Sequence, residues 1–234
     1  MIPISDNVPS RSTPFVNVGL IVACVLVFVK QAMVPSFTDE WAFRPAFLLS
    51  AELFRVGPTH ALLAMLASVF MHAGLMHIGG NMLFLWVFGD NVEDRMGHVK
   101  YLVFYLGCGI VATLAHSAAS VLGLWSNPHS LEMPIVGASG AIAGVLGAYL
   151  VLCPGASVRT VVLFFIITIV EIPAAFFLVI WFVMQLFSGV GTLAGGTGGV
   201  AYWAHIGGFA TGYIVAKGMT AGRRAKVRSL SDEG

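Results

Sequence analysis

Long runs of apolar residues, interrupted by short polar segments, extend along the whole chain. A helix needs about 20 mostly apolar residues to cross a bilayer. Six segments meet or approach this length, and they predict an all-α membrane protein built as a bundle of six transmembrane helices. The predicted helices cover residues 13–34, 75–96, 101–121, 136–152, 172–188 and 202–219. No repeat or second unit interrupts the series, so we expect one membrane domain over residues 1–234.

Four connecting segments have a distinct character. Residues 35–74 mix aromatic and charged side chains, which is typical of a segment lying in the membrane interface. The residues before the fifth predicted helix are rich in β-branched side chains, and we expect them to lie in or near the interface, with Pro173 in the first helical turn. The glycine-rich stretch 188–199 predicts a mobile loop. Residues 220–234 predict a basic tail.

The distribution of positive charges predicts the orientation. Six spans place both termini on one side of the membrane, and Lys and Arg are favoured on the cytoplasmic side. Of the 12 Lys and Arg residues, nine fall on the side of the termini and three on the other. The three are Lys30, Arg44 and Arg55. Both termini are therefore predicted to be cytoplasmic.

Composition limits the class of protein and the environment in which it is expected. Apolar residues make up 58% of the chain and charged residues 10%, and the mean hydropathy is +0.89. Average proteins carry about 25% charged residues, so this composition excludes soluble, disordered and fibrous proteins. A net charge of +1 gives no basic surface for nucleic acid, and the expected environment is a lipid bilayer. Cys24, Cys108 and Cys153 lie in apolar segments without a spacing motif, which favours small buried side chains over a disulfide framework.

Four polar side chains lie inside predicted spans, where polar groups are costly and usually functional. They are His77, Asn81, Ser139 and His205. His77 and Asn81 share one face of the second helix, because they are four residues apart. The second, fourth and sixth helices run in the same direction, so all four groups reach a similar depth near the outer end. Small residues in these helices permit close approach of the backbones.

The four residue types suggest a hydrolase. A serine and a histidine at one depth fit a nucleophile and its general base, Ser139 and His205. The amide of Asn81 and the second histidine, His77, fit donors to a developing oxyanion. No carboxylate lies near His205 in its helix, so such an enzyme would use a Ser-His dyad without the acid of the usual triad.

Other interpretations of the same residues remain open at this point. A serine in a membrane helix often bonds backbone or a neighbouring helix, and GASG is also a packing motif. It differs from the G-x-S-x-G motif of soluble hydrolases because Ala141 replaces the last glycine. His205 alone also fits a packing histidine, or a metal or haem ligand. His72 and His77 do not share a helix face and lack Cys or carboxylate companions, so we predict no metal and no cofactor.

Three motifs, taken together, resemble the rhomboid family of intramembrane serine proteases. The segment HAGLMHIGGNMLFLWVFGDNVEDRMG resembles the family's second helix, and GASG and AHIGGFATG resemble its G-x-S-G and A-H-x2-G-x3-G motifs. The first of these carries H-x4-H-x3-N at His72, His77 and Asn81, and G-x3-E-x3-G at Gly89, Glu93 and Gly97. The resemblance extends over residues 62–212, with the motifs in the family's order.

The resemblance implies an intramembrane endopeptidase that cleaves single-pass transmembrane proteins near the outer end of their helix. Ser139 would attack the peptide bond and His205 would act as the base. The oxyanion would bind the Ser139 N–H, His77 and Asn81, with Gly137 keeping the backbone open. His72 would support the neighbouring loop without taking part in the chemistry.

Other positions have roles that the resemblance or their location suggests. Glu93 and Arg95 would tie the inner end of the second helix to its neighbours. Trp181 and Gln185 would line the substrate entrance, where the fifth helix acts as a gate. Some family members carry a tyrosine four residues after the nucleophile, stacked on the histidine, but this chain has Ala143 there. Another aromatic residue, such as Trp203, is a candidate for that support.

Two alternatives to a protease come from other functional classes. A non-catalytic rhomboid-like protein would bind membrane clients, but it would not need the serine and both histidines. A transporter or channel would be expected to show discontinuous helices or inverted repeats. The N-terminal residues predict no targeting segment, so we expect a multi-pass protein of a bacterial-type cytoplasmic membrane.

Overall fold

A computed structural model describes residues 1–123, 128–163, 167–193 and 200–232, and these residues are mostly helical. The helices are α1 (Phe15–Met33), α2 (Ser36–Trp41), α3 (Ser50–Val56), α4 (Pro58–Ser68), α5 (Leu75–Met96), α6 (His98–Leu122), α7 (Ser139–Leu152), α8 (Ala174–Leu193) and α9 (Tyr202–Asp232). Short 3-10 helices cover Pro45–Leu48 and Pro128–Leu131. The strands are β1 (Ile2–Asp6), β2 (Ser157–Leu163) and β3 (Ile167–Pro173).

Three helices in the described part of the chain are long and apolar enough to cross a membrane, by length and composition alone. They are α1, α6 and α8. Helix α7 is equally apolar but has only 14 residues. The length and hydropathy of these helices are those of a membrane protein.

Helix α7 forms the centre of the bundle. Every residue from Gly140 to Tyr149 is buried, and the helix packs mainly against α9, α6 and α5. Glycines allow its backbone to touch that of α9. A Cβ atom added at Gly208 would overlap the carbonyl oxygen of Gly140, and one at Gly212 would overlap that of Gly144. Any side chain at these positions would push the two helices apart.

The C-terminal end of α5 is tied to two other helices. The side chain of Glu93 is fully buried and accepts hydrogen bonds from the backbone N–H groups of Val16 (3.0 Å) and Asn17 (2.7 Å). These groups begin α1 and have no partner within their own helix. Arg95 donates to the carbonyl oxygen of Leu152 at the end of α7 (2.5 Å). The predicted role of Glu93 and Arg95 in tying this end of the helix to its neighbours is confirmed.

A three-stranded antiparallel sheet, in the order β1-β2-β3, departs from the all-α prediction. Ile2 pairs with Val161, and Ser157 pairs with Pro173. The segment predicted to lie in or near the interface thus forms β2 and β3, and Pro173 ends a strand instead of lying inside a helix. The β-branched residues explain this result, since they favour extended backbone once a partner strand is available. The fold is mostly helical, and the all-α prediction is wrong in this region.

Other connections are also more ordered than the hydropathy pattern suggested. Within residues 35–74, the helices α3 and α4 contribute to a small apolar core that includes Phe43, Phe47 and Met65. Part of the predicted loop 188–199 is the last turn of α8, and residues 194–199 lie outside the described residues. The predicted tail 220–234 continues α9 as far as Asp232.

Candidate active site

Ser139 and His205 meet where α7 and α9 begin. Ser139 is the first residue of α7, and His205 lies in the first turn of α9. The Ser139 Oγ and His205 Nε2 atoms are 2.8 Å apart, and His205 is 8% exposed. The glycine contacts between the two helices bring these residues together. Two residues that are 66 positions apart in the chain therefore form one hydrogen-bonded pair.

The second ring nitrogen of His205 is held by α8. Its Nδ1 atom lies 2.7 Å from the side-chain oxygen of Gln185. An amide oxygen only accepts hydrogen bonds, so Nδ1 carries the proton and Nε2 is left to accept the hydroxyl proton of Ser139. The ring of Trp181 also packs beside His205, with ring centroids 5.7 Å apart and planes inclined by 35°.

The support of His205 by α8 is the feature that sequence reasoning missed. The sequence suggests the substrate entrance as the location of Trp181 and Gln185, and it suggests Trp203 as the ring that packs on the histidine. Trp203 instead donates a hydrogen bond to the carbonyl oxygen of Gly189, 3.1 Å away. A usable signal was present, because Trp181 and Gln185 are four residues apart and share a face of a helix with few polar side chains.

Ala143, four residues after Ser139 in the chain, packs against α9. It is fully buried, and its Cβ atom would lie 3.4 Å from a Cβ atom added at Gly208. A larger side chain would separate α7 from α9. The small residue thus fits the close packing, and Trp181 supplies the aromatic neighbour from another helix.

His77 faces the same space as Ser139, across Gly137. A Cβ atom added at Gly137 would lie 2.8 Å from His77 Cε1, 2.9 Å from His77 Nε2 and 3.5 Å from Ser139 Oγ. Gly137 also has a φ of +134°, a conformation that other residues rarely adopt. The Nδ1 atom of His77 accepts a hydrogen bond from the Ala73 N–H (3.3 Å), which leaves the proton on Nε2. His77 therefore presents an N–H donor beside Ser139.

Asn81 lies one turn further along α5, on the same face. It is 9% exposed, and its Nδ2 atom is buried without a hydrogen-bond partner among the described residues. Most buried donors are paired, so an unpaired one needs an explanation. A donor held ready for a transient acceptor is one explanation, and Asn81 is on the helix face that carries His77.

His72 supports the segment that precedes α5. Its backbone N–H donates to the side-chain oxygen of Gln31 (2.9 Å), and its Nδ1 atom lies 3.2 Å from the carbonyl oxygen of Phe70. Its ring lies edge-on to that of His77, with centroids 5.2 Å apart. Burial, with a smaller contribution from His77, lowers the pKa of His72 to about 4, so this ring is neutral at physiological pH.

A small cavity adjoins Ser139. Its lining includes Ser68, Thr113, Ile135, Gly137 and Ala204. Within the described ranges, no three His, Cys, Asp or Glu side chains come together in a way that would hold a metal ion.

Comparison with known proteins matches the site to a family. A sequence model of the Rhomboid domain matches residues 59–221. Over 100 residues the chain is 34% identical to rhomboid protein 1, mitochondrial, of Saccharomyces cerevisiae (41% of this chain, 27% of that protein). It is 36% identical over 86 residues to the rhomboid protease GluP of Bacillus subtilis (37% of this chain, 15% of that protein). Over 133 residues it is 31% identical to the human presenilin-associated rhomboid-like protein, mitochondrial (56% of this chain, 31% of that protein).

The chain thus matches less than a third of the length of these three relatives. The Rhomboid domain, in contrast, covers most of the chain and includes Ser139, His205, His77 and Asn81. The match also spans the helices that bring these residues together. The protein is a membrane protein that belongs to the rhomboid family.

Proposed function

We propose that this protein is an intramembrane serine endopeptidase that cleaves single-pass transmembrane proteins near the outer end of their helix. The observation that carries the proposal is the 2.8 Å contact between Ser139 Oγ and His205 Nε2, with the histidine proton held on Nδ1 by Gln185. This is the arrangement in which a neutral imidazole can accept the serine proton. No cofactor enters the reaction.

The reaction proceeds by acyl transfer. His205 Nε2 takes the Ser139 proton as Oγ bonds to the carbonyl carbon of the substrate, and the carbonyl oxygen becomes an oxyanion. His205 then gives the proton to the leaving amine as the peptide C–N bond breaks, and an acyl-enzyme remains. Water repeats the same steps, losing a proton to His205, and the acid product leaves while Ser139 regains its proton.

Three donors are available to the oxyanion. The Ser139 N–H begins α7 and has no partner within the helix, because only the fifth and later N–H groups bond back. The Nε2–H of His77 lies across Gly137, and Asn81 offers its Nδ2 donor, which has no partner in the part of the chain that the structure describes. Donors that are fixed before the reaction stabilise the developing charge without reorganisation. His72 and Gly137 support this arrangement from the adjoining loops.

The substrate follows from the surroundings of the site. A peptide bond inside a helix is hydrogen-bonded, so a transmembrane substrate must unwind before it reaches Ser139. The small cavity beside Ser139 favours a small side chain next to the cleaved bond.

We place the six helices in a bacterial-type cytoplasmic membrane with both termini cytoplasmic. A reporter fused after Gly234 should therefore be cytoplasmic, and an external reporter would contradict this topology.

The decisive experiment is cleavage of a single-pass reporter in proteoliposomes, with fragments sized by mass spectrometry. The reporter carries small residues and glycine at the outer end of its helix. Ser139→Ala should abolish the cut. Ser117→Ala is the matched control, since that buried serine donates its hydrogen bond to the Thr113 carbonyl oxygen of its own helix (2.8 Å), and it should retain activity. Reporter capture without a Ser139-dependent cut would instead support a client-binding protein.

A further inference from the structure

Helix α8 contributes two side chains to the environment of His205, and both belong to one face. The side-chain oxygen of Gln185 accepts a hydrogen bond from His205 Nδ1–H (2.7 Å), and Trp181, one turn earlier, packs on the ring. The same face rests on α9 through Phe182 and Phe209, whose rings stack with centroids 4.5 Å apart. Trp181 is also 6.2 Å from Phe209, so the three aromatic rings form one packed group beside the histidine.

The contact from Gln185 occupies the position that a carboxylate takes in a serine hydrolase triad. A carboxylate there fixes the histidine tautomer and also stabilises the imidazolium that forms during the reaction. A neutral amide fixes the tautomer equally well, because its oxygen can only accept a hydrogen bond. It provides less stabilisation of the charged ring, since it carries a dipole and not a full charge.

We propose that Gln185 and Trp181 are positioning residues for His205, so that α8 joins α5, α7 and α9 as the fourth helix of the reaction centre. Gln185 keeps the proton on Nδ1, and Trp181 keeps the ring from turning away from Ser139. The proposal rests on the protease function proposed above. It concerns how the base is oriented, and neither residue touches the reacting atoms.

Loss of the amide oxygen has a specific consequence. Without an acceptor, Nδ1–H is a buried donor with no partner, and the ring can relieve this by rotating or by moving its proton to Nε2. In either state Nε2 no longer accepts the Ser139 proton. We expect the fraction of correctly oriented histidine to fall about 10- to 100-fold, and kcat with it, while substrate binding is unchanged.

The experiment compares three variants in the proteoliposome assay, with kcat and KM measured against pH. Gln185→Leu keeps the approximate volume but removes the acceptor, and should lower kcat about 10- to 100-fold at unchanged KM. Gln185→Glu restores an acceptor and should recover most of kcat. It should also move the acid limb of the pH profile to higher pH, because a carboxylate favours the imidazolium. Met184→Leu is the control on the exposed face of α8 and should match wild type.

Other titratable groups near His205 can also affect the acid limb of the pH profile. Among the described residues, His77 on α5 and His116 on α6 are the titratable groups whose charges act on His205. Both are present in all three variants, so a shift that appears only in Gln185→Glu belongs to the pair of Gln185 and His205.

Trp181→Phe retains a ring and should lose less activity than Trp181→Ala, with no shift of the pH profile.

A readout that needs no turnover separates this inference from the proposed function. Nitrogen NMR of labelled histidine in the Ser139→Ala background reports which ring nitrogen of His205 carries the proton. The Nδ1–H form should dominate when Gln185 is present and decline in the Gln185→Leu variant. An inactive wild type with the Nδ1–H form dominant would contradict the protease function alone. Equal kcat, pH profile and NMR pattern in Gln185→Leu and Met184→Leu would overturn the positioning role.

Discussion

Helix α9 has two neighbours at the candidate site, and they contact it in different ways. Against α7 the contact is backbone to backbone, with Gly208 and Gly212 facing the carbonyl oxygens of Gly140 and Gly144. Against α8 the contact is made by side chains, chiefly aromatic rings and the hydrogen bond from His205 Nδ1–H to Gln185. The first contact leaves no room for adjustment, whereas the second can be rearranged by rotating side chains.

The two helix contacts have different functions at the site. The rigid α7–α9 contact sets the separation of Ser139 and His205, which the chemistry requires to be constant. The α8–α9 contact sets the orientation of the imidazole. Helix α8 is also the more exposed helix, with Phe176 at 57% and Phe187 at 78% exposed, so its outer face suits contact with lipid or with a transmembrane substrate.

The largest effect is expected from filling the α7–α9 contact. A Cβ atom in Gly212→Ala would overlap the Gly144 carbonyl oxygen and lie 2.6 Å from its carbon, and no rotamer relieves a clash with backbone. We expect a loss of about 3 kcal/mol in stability, with loss of cleavage. Thermal unfolding in detergent measures the stability. Gly218→Ala on the same helix is the control, because its added Cβ meets nothing within 4 Å. Equal unfolding temperatures for the two variants would refute the rigid contact.

The next largest effect concerns the donors on α5. Asn81→Ala should reduce kcat by about 10²–10³-fold, as expected for removal of one oxyanion donor. It should not lower stability, because the removed amide is a buried donor without a partner among the described residues. Kinetics and thermal unfolding on the same sample measure the fall in kcat and the unchanged stability. The acid limb of the Asn81→Ala pH profile should stay in place, unlike that of Gln185→Glu. A kcat close to wild type would exclude Asn81 from the oxyanion site.

A smaller effect is expected where α8 meets α9. In Gly189→Ala the new Cβ lies 3.1 Å from Ile206 Cδ1 and 3.4 Å from Trp203 Cε2, and both are atoms of side chains. Small rotations relieve these contacts, and alanine favours helix by about 1 kcal/mol over glycine. We expect unfolding temperature and cleavage close to wild type. A loss as large as that of Gly212→Ala would show that both contacts of α9 are equally rigid.

The sequence predicted the parts of this site that depend on local pattern. Ser139, His205, His77 and Asn81 stood out because polar groups are rare in apolar helices, and alternating helix direction placed them at one depth. The partners of His205 were missed for a different reason. Which face of α8 meets α9 depends on packing between helices, and the hydropathy of a helix that is apolar all round does not define a face.

The sheet was missed for a related reason. Strands β2 and β3 are rich in β-branched residues, but their pattern alone does not distinguish extended structure from an apolar helix. Strand β1 pairs with β2, which is far away in the sequence, and next to β1 the Ser157 N–H bonds the side chain of Asn7, 150 positions away (2.8 Å). No local rule identifies a partner at that distance. The sheet nevertheless leads directly into α8, and it fixes the end of the helix remote from Gln185.

The last prediction, with a small expected effect on cleavage, tests this anchor at Asp6, the last residue of β1. Its carboxylate accepts hydrogen bonds from Asn91 (2.9 Å) and from the hydroxyl of Tyr149, yet burial outweighs these bonds and raises the pKa of Asp6 above its usual 3.8. The folded protein therefore binds this proton more tightly than the unfolded chain does. The resulting stability is complete below pH 3.8 and is lost as the pH rises through the raised pKa.

In Asp6→Asn this contribution is absent, so the unfolding temperature of the variant relative to wild type should rise with pH and then level off. Thermal unfolding of both proteins in detergent, from pH 3.5 upwards, measures the difference. Asp90 also bonds Asn91 and interacts electrostatically with Asp6, so the comparison is repeated with Asp90→Asn in both proteins to isolate Asp6. Cleavage should change little, because the sheet contacts α8 at the end away from His205. A difference that is constant with pH would mean that burial does not govern Asp6, and a large loss of cleavage would mean that the sheet also aligns Gln185.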